Sequence, residues 1–414
     1  MLRWLDAWRS PPAPPAAGAL RVVVELNRFD KGGLERVVLD TARSFDRARF
    51  ALLIISVGRP GALAAEARRA GLRVEGLPRR EPARAYARLL DAFQPALAVT
   101  HLSTFGYALL AARNIPIVSV IHNVYGYFTE PMRDAFLRDD RQVAHYISVS
   151  RKATQYVTER FGLAPARITT IPNGLDVAAL PAQVRPASRA RLGIAPGDYV
   201  FLNVAAYNLH KGHHLMAAAM RLLLRERQDI RIVCVGNVVV APHVAALRAR
   251  LLREGLDRHM LLPGYSRDVP GLLAMADAFL LPSFIEGWSI AMNEAMAFGK
   301  PLLLTDTGGA AEVIEDEDIG ILLPNEYGPV TDLDSALLDR LAYATSEFRV
   351  AADLAAAMAR FADNRAHWAA AGAHGAAKLR QRYDLRETVR RHESVMLAVA
   401  AGRAPGECRP ADQA

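Results

Sequence analysis

The fold is decided by residues 280–314, LLPSFIEGWSIAMNEAMAFGKPLLLTDTGGAAEVI. They read as strand, glycine-containing loop, helix, strand, Gly-Gly loop, helix. Residues 278–281 form a short apolar strand that Pro282 and Ser283 stop. Ser289 is placed to N-cap a helix that begins at Ile290, and Gly299 stands where a helix C-terminus wants glycine. Residues 301–305 are the next apolar strand. Gly308 and Gly309 then open a second helix with Glu312 in its first turn.

Two helix N-termini thus follow two strands, each through a glycine loop. Each offers unpaired backbone N–H groups and a positive dipole end, a combination that suits a phosphate. Glu286 lies in the loop before the first helix, and Glu294 about one turn into it. An ionised glutamate only accepts hydrogen bonds, so it suits the hydroxyl donors of sugars and ribose. A phosphate cradle beside two such carboxylates suggests a sugar nucleotide.

Glu286-Gly287-Trp288-Ser289 with Glu294, followed by Ala295, Met296, Ala297, Gly299, Pro301, Thr305, Gly308, Gly309 and Glu312, resembles the Glu-x(7)-Glu signature of retaining glycosyltransferase family 4. The resemblance implies the GT-B fold, an α/β architecture of two Rossmann-like domains facing each other across a cleft. It also implies a C-terminal helix that crosses back to the first domain. Two acids at that spacing are weak evidence alone; the string with its glycines, proline and strand-helix context is specific.

Composition agrees with a globular chain of two ordinary domains: 414 residues, 51% hydrophobic and 23% charged. Two cysteines, Cys234 and Cys408, cannot make a disulfide framework. Cys234 lies in an apolar strand as a packing thiol, and a reducing cytoplasm fits. No apolar run reaches the roughly 18–20 residues of a membrane span. Residues 1–19 are too broken by Asp6, Arg9 and Pro11 for a secretory signal. They read as a tail, with a weak interfacial anchor through Leu2, Trp4, Leu5 and Trp8 as the alternative. The formal net charge of +8 suits an anionic partner. No recurring aromatic-basic interleaving, zinc knuckle or basic recognition helix accompanies it, so nucleic acid is not expected as a partner.

Residues 20–182 read as a first domain of alternating strands and helices. Residues 20–26, LRVVVEL, form a continuous apolar strand of the kind a buried parallel sheet contains. Gly32 and Gly33 follow, opening a helix over residues 34–45 and resembling the family's Gly-Gly-x-Glu-Arg loop at the cleft. This is not the Gly-x-Gly-x-x-Gly fingerprint, so a dinucleotide is not supported. Arg79, Arg80, Arg84 and Arg88 are either a solvated helix face or a membrane-facing basic patch. Residues 95–100 end a strand at His101, and residues 116–121 end one at His122-Asn123. Open α/β sheets bind ligands at strand carboxyl ends, which makes His122 the better placed histidine. It resembles the family histidine that lines the cleft near the donor sugar. The Pro172-Asn173-Gly174 turn resembles the phrase that closes the family's first domain.

Residues 183–383 read as the second, donor-binding domain, and residues 384–414 as the crossover helix and a loose tail. Lys211 and Gly212 match the family's Lys-Gly before a helix, where a lysine serves a phosphate as a point charge. Ala205 and Ala206 stand where many family members carry an arginine, a departure that leaves Lys211 to neutralise the diphosphate. Gly264 and Tyr265 sit at the strand-end turn that packs on the base in the family. Residues 333–345 and 352–383 are expected as continuous helices. The Asp-x-Asp string at Asp316 and Asp318 reads as a surface turn, and no metal site is expected.

Family resemblance therefore implies transfer of a sugar from a nucleoside diphosphate sugar to an acceptor hydroxyl with retention, in bacterial envelope glycan or glycolipid synthesis. His122, Glu286 and Lys211 are the expected catalytic residues. Gly32, Gly33, Gly212, Gly264, Tyr265, Gly287, Trp288, Ser289, Glu294, Gly308 and Gly309 are the expected donor-binding set. No cofactor is expected, because the sugar nucleotide is itself the donor. The acceptor is a glycan, a lipid-linked group or a small molecule. The expected location is cytoplasmic, with peripheral attachment to an anionic membrane surface as an option. A GT-B epimerase or phosphorylase, and a non-catalytic protein that keeps the fold, are the alternatives.

Overall fold

The computed structural model describes residues 16, 18–181, 183–315, 318–342 and 347–405. The first domain runs β1 (Leu20–Leu26), α1 (Gly33–Ser44), β2 (Phe50–Ser56), α2 (Ala62–Arg69), β3 (Arg73–Gly76), α3 (Pro82–Phe93), β4 (Leu97–His101), α4 (Tyr107–Ala111), β5 (Ile117–Ile121), α5 (Glu130–Asp139), β6 (Val143–Ser148), α6 (Arg151–Phe161) and β7 (Ile168–Thr170). Its strands are parallel, in the order β3-β2-β1-β4-β5-β6-β7. Covered on both faces, they are almost wholly apolar: Val22, Val23, Leu26, Leu53, Ile54 and Ile55 are fully buried.

The second domain runs β8 (Tyr199–Val204), α7 (His213–Leu223), β9 (Ile230–Val235), α8 (Ala241–Arg253), β10 (Met260–Gly264), α9 (Val269–Met275), β11 (Ala278–Leu281), α10 (Ile290–Ala297), β12 (Leu302–Thr305), α11 (Ala310–Val313), β13 (Gly320–Leu323), α12 (Ser335–Ala342), α13 (Ala351–Asp363), α14 (Arg365–Arg382) and α15 (Leu385–Ala400). Its parallel sheet has the order β10-β9-β8-β11-β12-β13. Strand order reverses between β1 and β4 in one sheet and between β8 and β11 in the other. Crevices form at the carboxyl ends of such strand pairs.

The quoted stretch folds as its chemistry dictates. Ser289 accepts a hydrogen bond from the Met292 N–H at 3.2 Å and caps α10. Gly299, with φ 64°, takes the left-handed conformation just past the helix end. The second helix, however, is one turn of four residues, too short to sum an appreciable dipole. The expected phosphate cradle therefore reduces to one helix N-terminus and a Gly-Gly loop. The helix expected over 352–383 is two. It breaks at Asn364, which folds the chain back so that Trp368 stacks on Phe361 at 4.1 Å between ring centroids. The helix expected over 333–345 is α12, which starts later, where Asp334 accepts from the Leu337 N–H at 2.6 Å; residues 343–346 lie outside those described.

As expected, α15 crosses to the first domain and packs beside α1, β4 and β6. Its Glu393 accepts from the Asp46 N–H at 3.2 Å and from Arg49 at 3.0 Å. Cys234 is fully buried, with its thiol pKa pushed up by burial. Cys408, Asp316 and residues 1–15 lie outside the described residues, and Asp318 is exposed. Among the described residues no helix is long and apolar enough to cross a membrane.

Candidate active site

The loops leaving β8 and β11 are tied together at the reversal point of the second sheet. The Phe284 N–H donates to the His210 carbonyl at 2.8 Å. Asn208 caps the turn at Leu209–Lys211 by accepting from the His210 N–H at 3.2 Å. Gly212 then takes φ 69°, and a Cβ there would lie 2.1 Å from the Pro282 carbonyl oxygen. This close approach brings Lys211 Nζ onto Glu286 Oε1 at 2.5 Å. Ser283 Oγ donates to the same oxygen at 3.0 Å, and the Glu286 N–H donates to Thr307 Oγ1 at 3.2 Å. The Lys211 and Glu286 side chains are 19% and 16% exposed, enough for a ligand to reach the pair and too little for solvent to loosen it.

The same loop touches the first domain. Gly287 pairs with Asn123 in an antiparallel bridge, and the Val124 N–H points to the Glu286 carbonyl at 3.4 Å. A Cβ on Gly287 would fall 1.9 Å from the His122 carbonyl oxygen, so only glycine permits this contact. The structure thus sets the His122 backbone against the Glu286-Gly287 loop, and Glu286 in turn holds Lys211, so three residues far apart in sequence are drawn into one region. His122 Nε2 shares a 2.8 Å hydrogen bond with His101 Nδ1. Burial, with His392 nearby as the lesser cause, lowers the His122 pKa to about 3. Burial and the two neighbouring histidines lower that of His101 as well. Both rings are therefore neutral at neutral pH.

Glu294 lies on α10 and faces α1 of the first domain. Burial raises its pKa to about 7; Arg36 pulls it back and Asp40 pushes it further. Arg36 is itself held by Glu66 at 2.9 Å and Asp40 at 3.5 Å. Gly32 and Gly33 begin that helix, with the Glu35 carboxylate folded back over Gly32. Lys31 of the same loop stands over the Tyr265 ring, 5.7 Å from its centroid. Tyr265, just past Gly264 and 54% exposed, offers an open aromatic face.

Trp288 departs from its expected role. Its indole is buried, donates to Asn293 Oδ1 at 3.0 Å, and packs on Tyr383 at 4.8 Å between centroids. It shapes the loop from behind and offers a donor no surface. Gly308 and Gly309 lie against this loop: a Cβ on Gly308 would meet the Gly287 carbonyl oxygen at 2.4 Å, and one on Gly309 the Trp288 ring at 2.1 Å. Sequence reasoning missed Asn293, fully buried, whose Nδ2 donates to the Asn173 carbonyl across the domain boundary at 2.8 Å. It also missed His101 as the partner of His122, although both end neighbouring strands. Among the described residues, no three His, Cys, Asp or Glu side chains converge in a group that could hold a metal ion.

Two family models match this chain. One described as "Glycosyltransferase Family 4" matches residues 31–179, and one described as "Glycosyl transferases group 1" matches residues 184–341. The chain belongs to the GT-B glycosyltransferases. The protein YtcC of Bacillus subtilis (strain 168) is 27% identical over 320 residues, 72% of this chain and 77% of that protein. A UDP-Gal:alpha-D-GlcNAc-diphosphoundecaprenol alpha-1,3-galactosyltransferase of Escherichia coli is 24% identical over 251 residues, 57% of this chain and 63% of that enzyme. The crystal structure of Anabaena Alr3699/HepE in complex with UDP and glucose superposes with a TM-score of 0.75 at 18% identity, covering 92% of this chain and all of that one. These likenesses agree with the two facing parallel sheets of this glycosyltransferase.

Proposed function

We propose that this glycosyltransferase moves a hexose from a nucleoside diphosphate sugar to an acceptor hydroxyl with retention at the anomeric carbon. The observation that carries the reading is the Lys211–Glu286 pair at the β8 and β11 ends, set against His122 of the other domain. The capped N-terminus of α10 and the Gly308-Gly309 loop lie beside that pair. Structural neighbours crystallised with UDP-glucose or with UDP and GlcNAc support a uridine nucleotide sugar as the first donor to try. The galactosyltransferase relative supports a place in bacterial envelope glycan synthesis.

In this reading the leaving diphosphate lies against Lys211 and the α10 N-terminus, which stabilise the charge that develops as the C1–O bond breaks. Glu286, free to exchange its bond with Lys211 for sugar hydroxyls, orients the hexose. Glu294 accepts from the ribose hydroxyls, and Tyr265 gives the base a stacking face. His122, neutral and hydrogen-bonded by His101, contacts the sugar from the first domain. A histidine with a pKa of about 3 is a poor general base at neutral pH. The acceptor oxygen therefore bonds to C1 on the face the phosphate leaves, and its proton passes to the departing phosphate oxygen. No metal or other cofactor takes part, and the enzyme works at the cytoplasmic face of the membrane.

A thermal-shift screen against UDP-, GDP- and ADP-sugars tests donor binding, since a ligand bound only by the native state raises Tm. Proton NMR of the product then tests retention. An inverted anomer, or activity lost in EDTA and restored by magnesium, overturns the corresponding part of the reading.

A further inference from the structure

The first domain holds a cavity of about 220 Å³ that the donor does not occupy in the reading above. Its position ties it to the site. Its walls include Leu102, next to His101, and Ser119 and Val120 of β5, just before His122. Tyr125 forms another wall, and its hydroxyl reaches the His122 backbone.

The chemistry of the walls is mainly aromatic and aliphatic. Tyr125 and Phe128 stack at 4.4 Å, and Phe136 stands edge-on to both at 5.8 and 6.2 Å. Phe136 comes from α5, a helix that buries none of its residues and turns Met132, Ala135 and Phe136 to the cavity. Phe136 packs on the first-domain core through Tyr146 and Phe161, as an amphipathic face normally does, whereas Met132, one turn earlier, stays half exposed at the cavity's rim. At the mouth, Leu102 and Met132 are 42% and 43% exposed. Leu102 has φ 53°, a left-handed conformation that leucine rarely adopts. Its carbonyl is held there by Asn27 Nδ2 of the β1 loop at 2.5 Å. The backbone is thus constrained to keep a leucine outside the core, beside the histidine pair. Asp139 also lines the cavity and disfavours an anion inside it.

We propose that this cavity seats a neutral apolar group, alkyl or aryl, carried by the acceptor, so that the acceptor is an amphiphile rather than a free sugar. The hydroxyl that reacts must lie near His122, and what it is attached to on the first-domain side meets this mouth. The assignment of the occupant to an acceptor rests on the proposed transferase reaction; occupancy of the cavity by an apolar group does not.

The test is calorimetric titration of the full chain with methyl, phenyl and n-octyl β-D-glucopyranoside, all below micelle-forming concentration. The octyl or the phenyl glucoside should bind saturably at one site, at least tenfold tighter than the methyl glucoside, because burying added apolar carbon is favourable. Which of the two binds tighter decides between alkyl and aryl. Ala135→Trp fills the cavity and Met132→Asp charges its exposed mouth; each should remove at least tenfold of that preference. Met132→Asp, at the surface, covers the case in which Ala135→Trp does not fold. UDP affinity, read in the second domain, is the folding control for both. Equal binding of the three glucosides, or an octyl affinity that neither variant lowers, overturns the proposal. Apolar glucoside binding without any nucleotide binding would overturn the donor assignment and leave the cavity; the reverse would remove the cavity alone.

Discussion

Glu294 concentrates the chemistry of the second domain in one carboxyl group. Its spacing from Glu286 and its place on the helix that Ser289 caps are legible in the sequence, because both depend on neighbours within a few turns. Its environment is not, because α14, which packs on α10, and Arg36 and Asp40 of α1, more than two hundred residues away, come near it only in the folded chain. With a pKa of about 7 it is close to half ionised in the free protein at neutral pH. Ribose hydroxyls must donate to the carboxylate, so binding favours the ionised form. Affinity for a UDP-sugar, whose phosphates do not titrate in this range, should therefore rise from pH 6 to pH 8. Glu294→Gln should flatten that rise. For stability the sign is opposite: burial favours the protonated form, so the contribution is present below the ordinary carboxyl pKa and is lost as pH rises through about 7. The free Glu294→Gln variant should thus melt higher than wild type at pH 8, and the gap should close toward pH 5. Glu294→Ala removes a hydrogen bond to a charged group, of roughly 1.5–3 kcal/mol. Donor affinity should weaken about 10- to 150-fold in calorimetric titration. Unchanged affinity would remove the ribose role. Trp288 shows the converse limit: its pattern marks a loop at the site, but only Asn293, Tyr383 and Gly309 reveal that the ring faces away.

Among the elements, the apolar strands, down to the four residues of β11, and the capped helices were legible, and those set by tertiary packing were not. α9 carries a readable signal, Asp268 before a proline in the first turn, and Asp268 does accept from the Gly271 N–H at 2.9 Å. Its seven residues are too few for an apolar period to show. The break at Asn364 has no glycine or proline to announce it; the stacking of Trp368 on Phe361 holds it. α11 has a different function from the dipole its sequence suggests. Its Glu312 reaches across the domain boundary and accepts from the Arg151 N–H at 2.7 Å, at the first turn of α6. The Arg151 guanidinium adds an ion pair at 3.5 Å. Glu312 thus supplies from another domain the acceptor that an N-terminal cap supplies locally. Glu312→Ala should cost about 1–3 kcal/mol and lower the apo melting temperature, with UDP affinity little changed. A melting temperature equal to wild type would show that Ser150, which accepts from the Ala153 N–H at 3.2 Å, suffices alone.

At the scale of the whole molecule, two facing sheets were legible from the repeated strand-helix alternation, and the way they meet was not. The meeting is made of contacts that leave no local sequence pattern: the Gly287 backbone beside the His122 carbonyl, the Asn293 side chain on the Asn173 carbonyl, and a Lys152–Asp306 ion pair at 2.9 Å. Arg79, Arg80, Arg84 and Arg88 are all exposed just before and along α3 of the first domain, with Arg84 paired to Glu81 at 3.3 Å; a shared basic face is the expectation to test. If that face meets anionic lipid, sedimentation with anionic liposomes should fall as salt rises, since attraction decays over a Debye length of about 10 Å at 0.1 M. Salt-independent binding, or none at low salt, would count against it. The domain contact itself gives the stricter prediction. Nucleotide contacts are assigned to the second domain, whereas turnover needs His122 from the first. His122→Ala should cut turnover about ten- to a hundredfold, the loss of one or two hydrogen bonds in the transition state. It should leave UDP affinity within a few-fold of wild type. Gly287→Ala should behave alike for a different reason: its Cβ would lie 1.9 Å from the His122 carbonyl oxygen and must push the domains apart. A wedge of this kind removes turnover while the second domain still binds nucleotide. If both variants lost nucleotide affinity as steeply as turnover, the donor would lie across both domains and the division of labour argued here would be wrong.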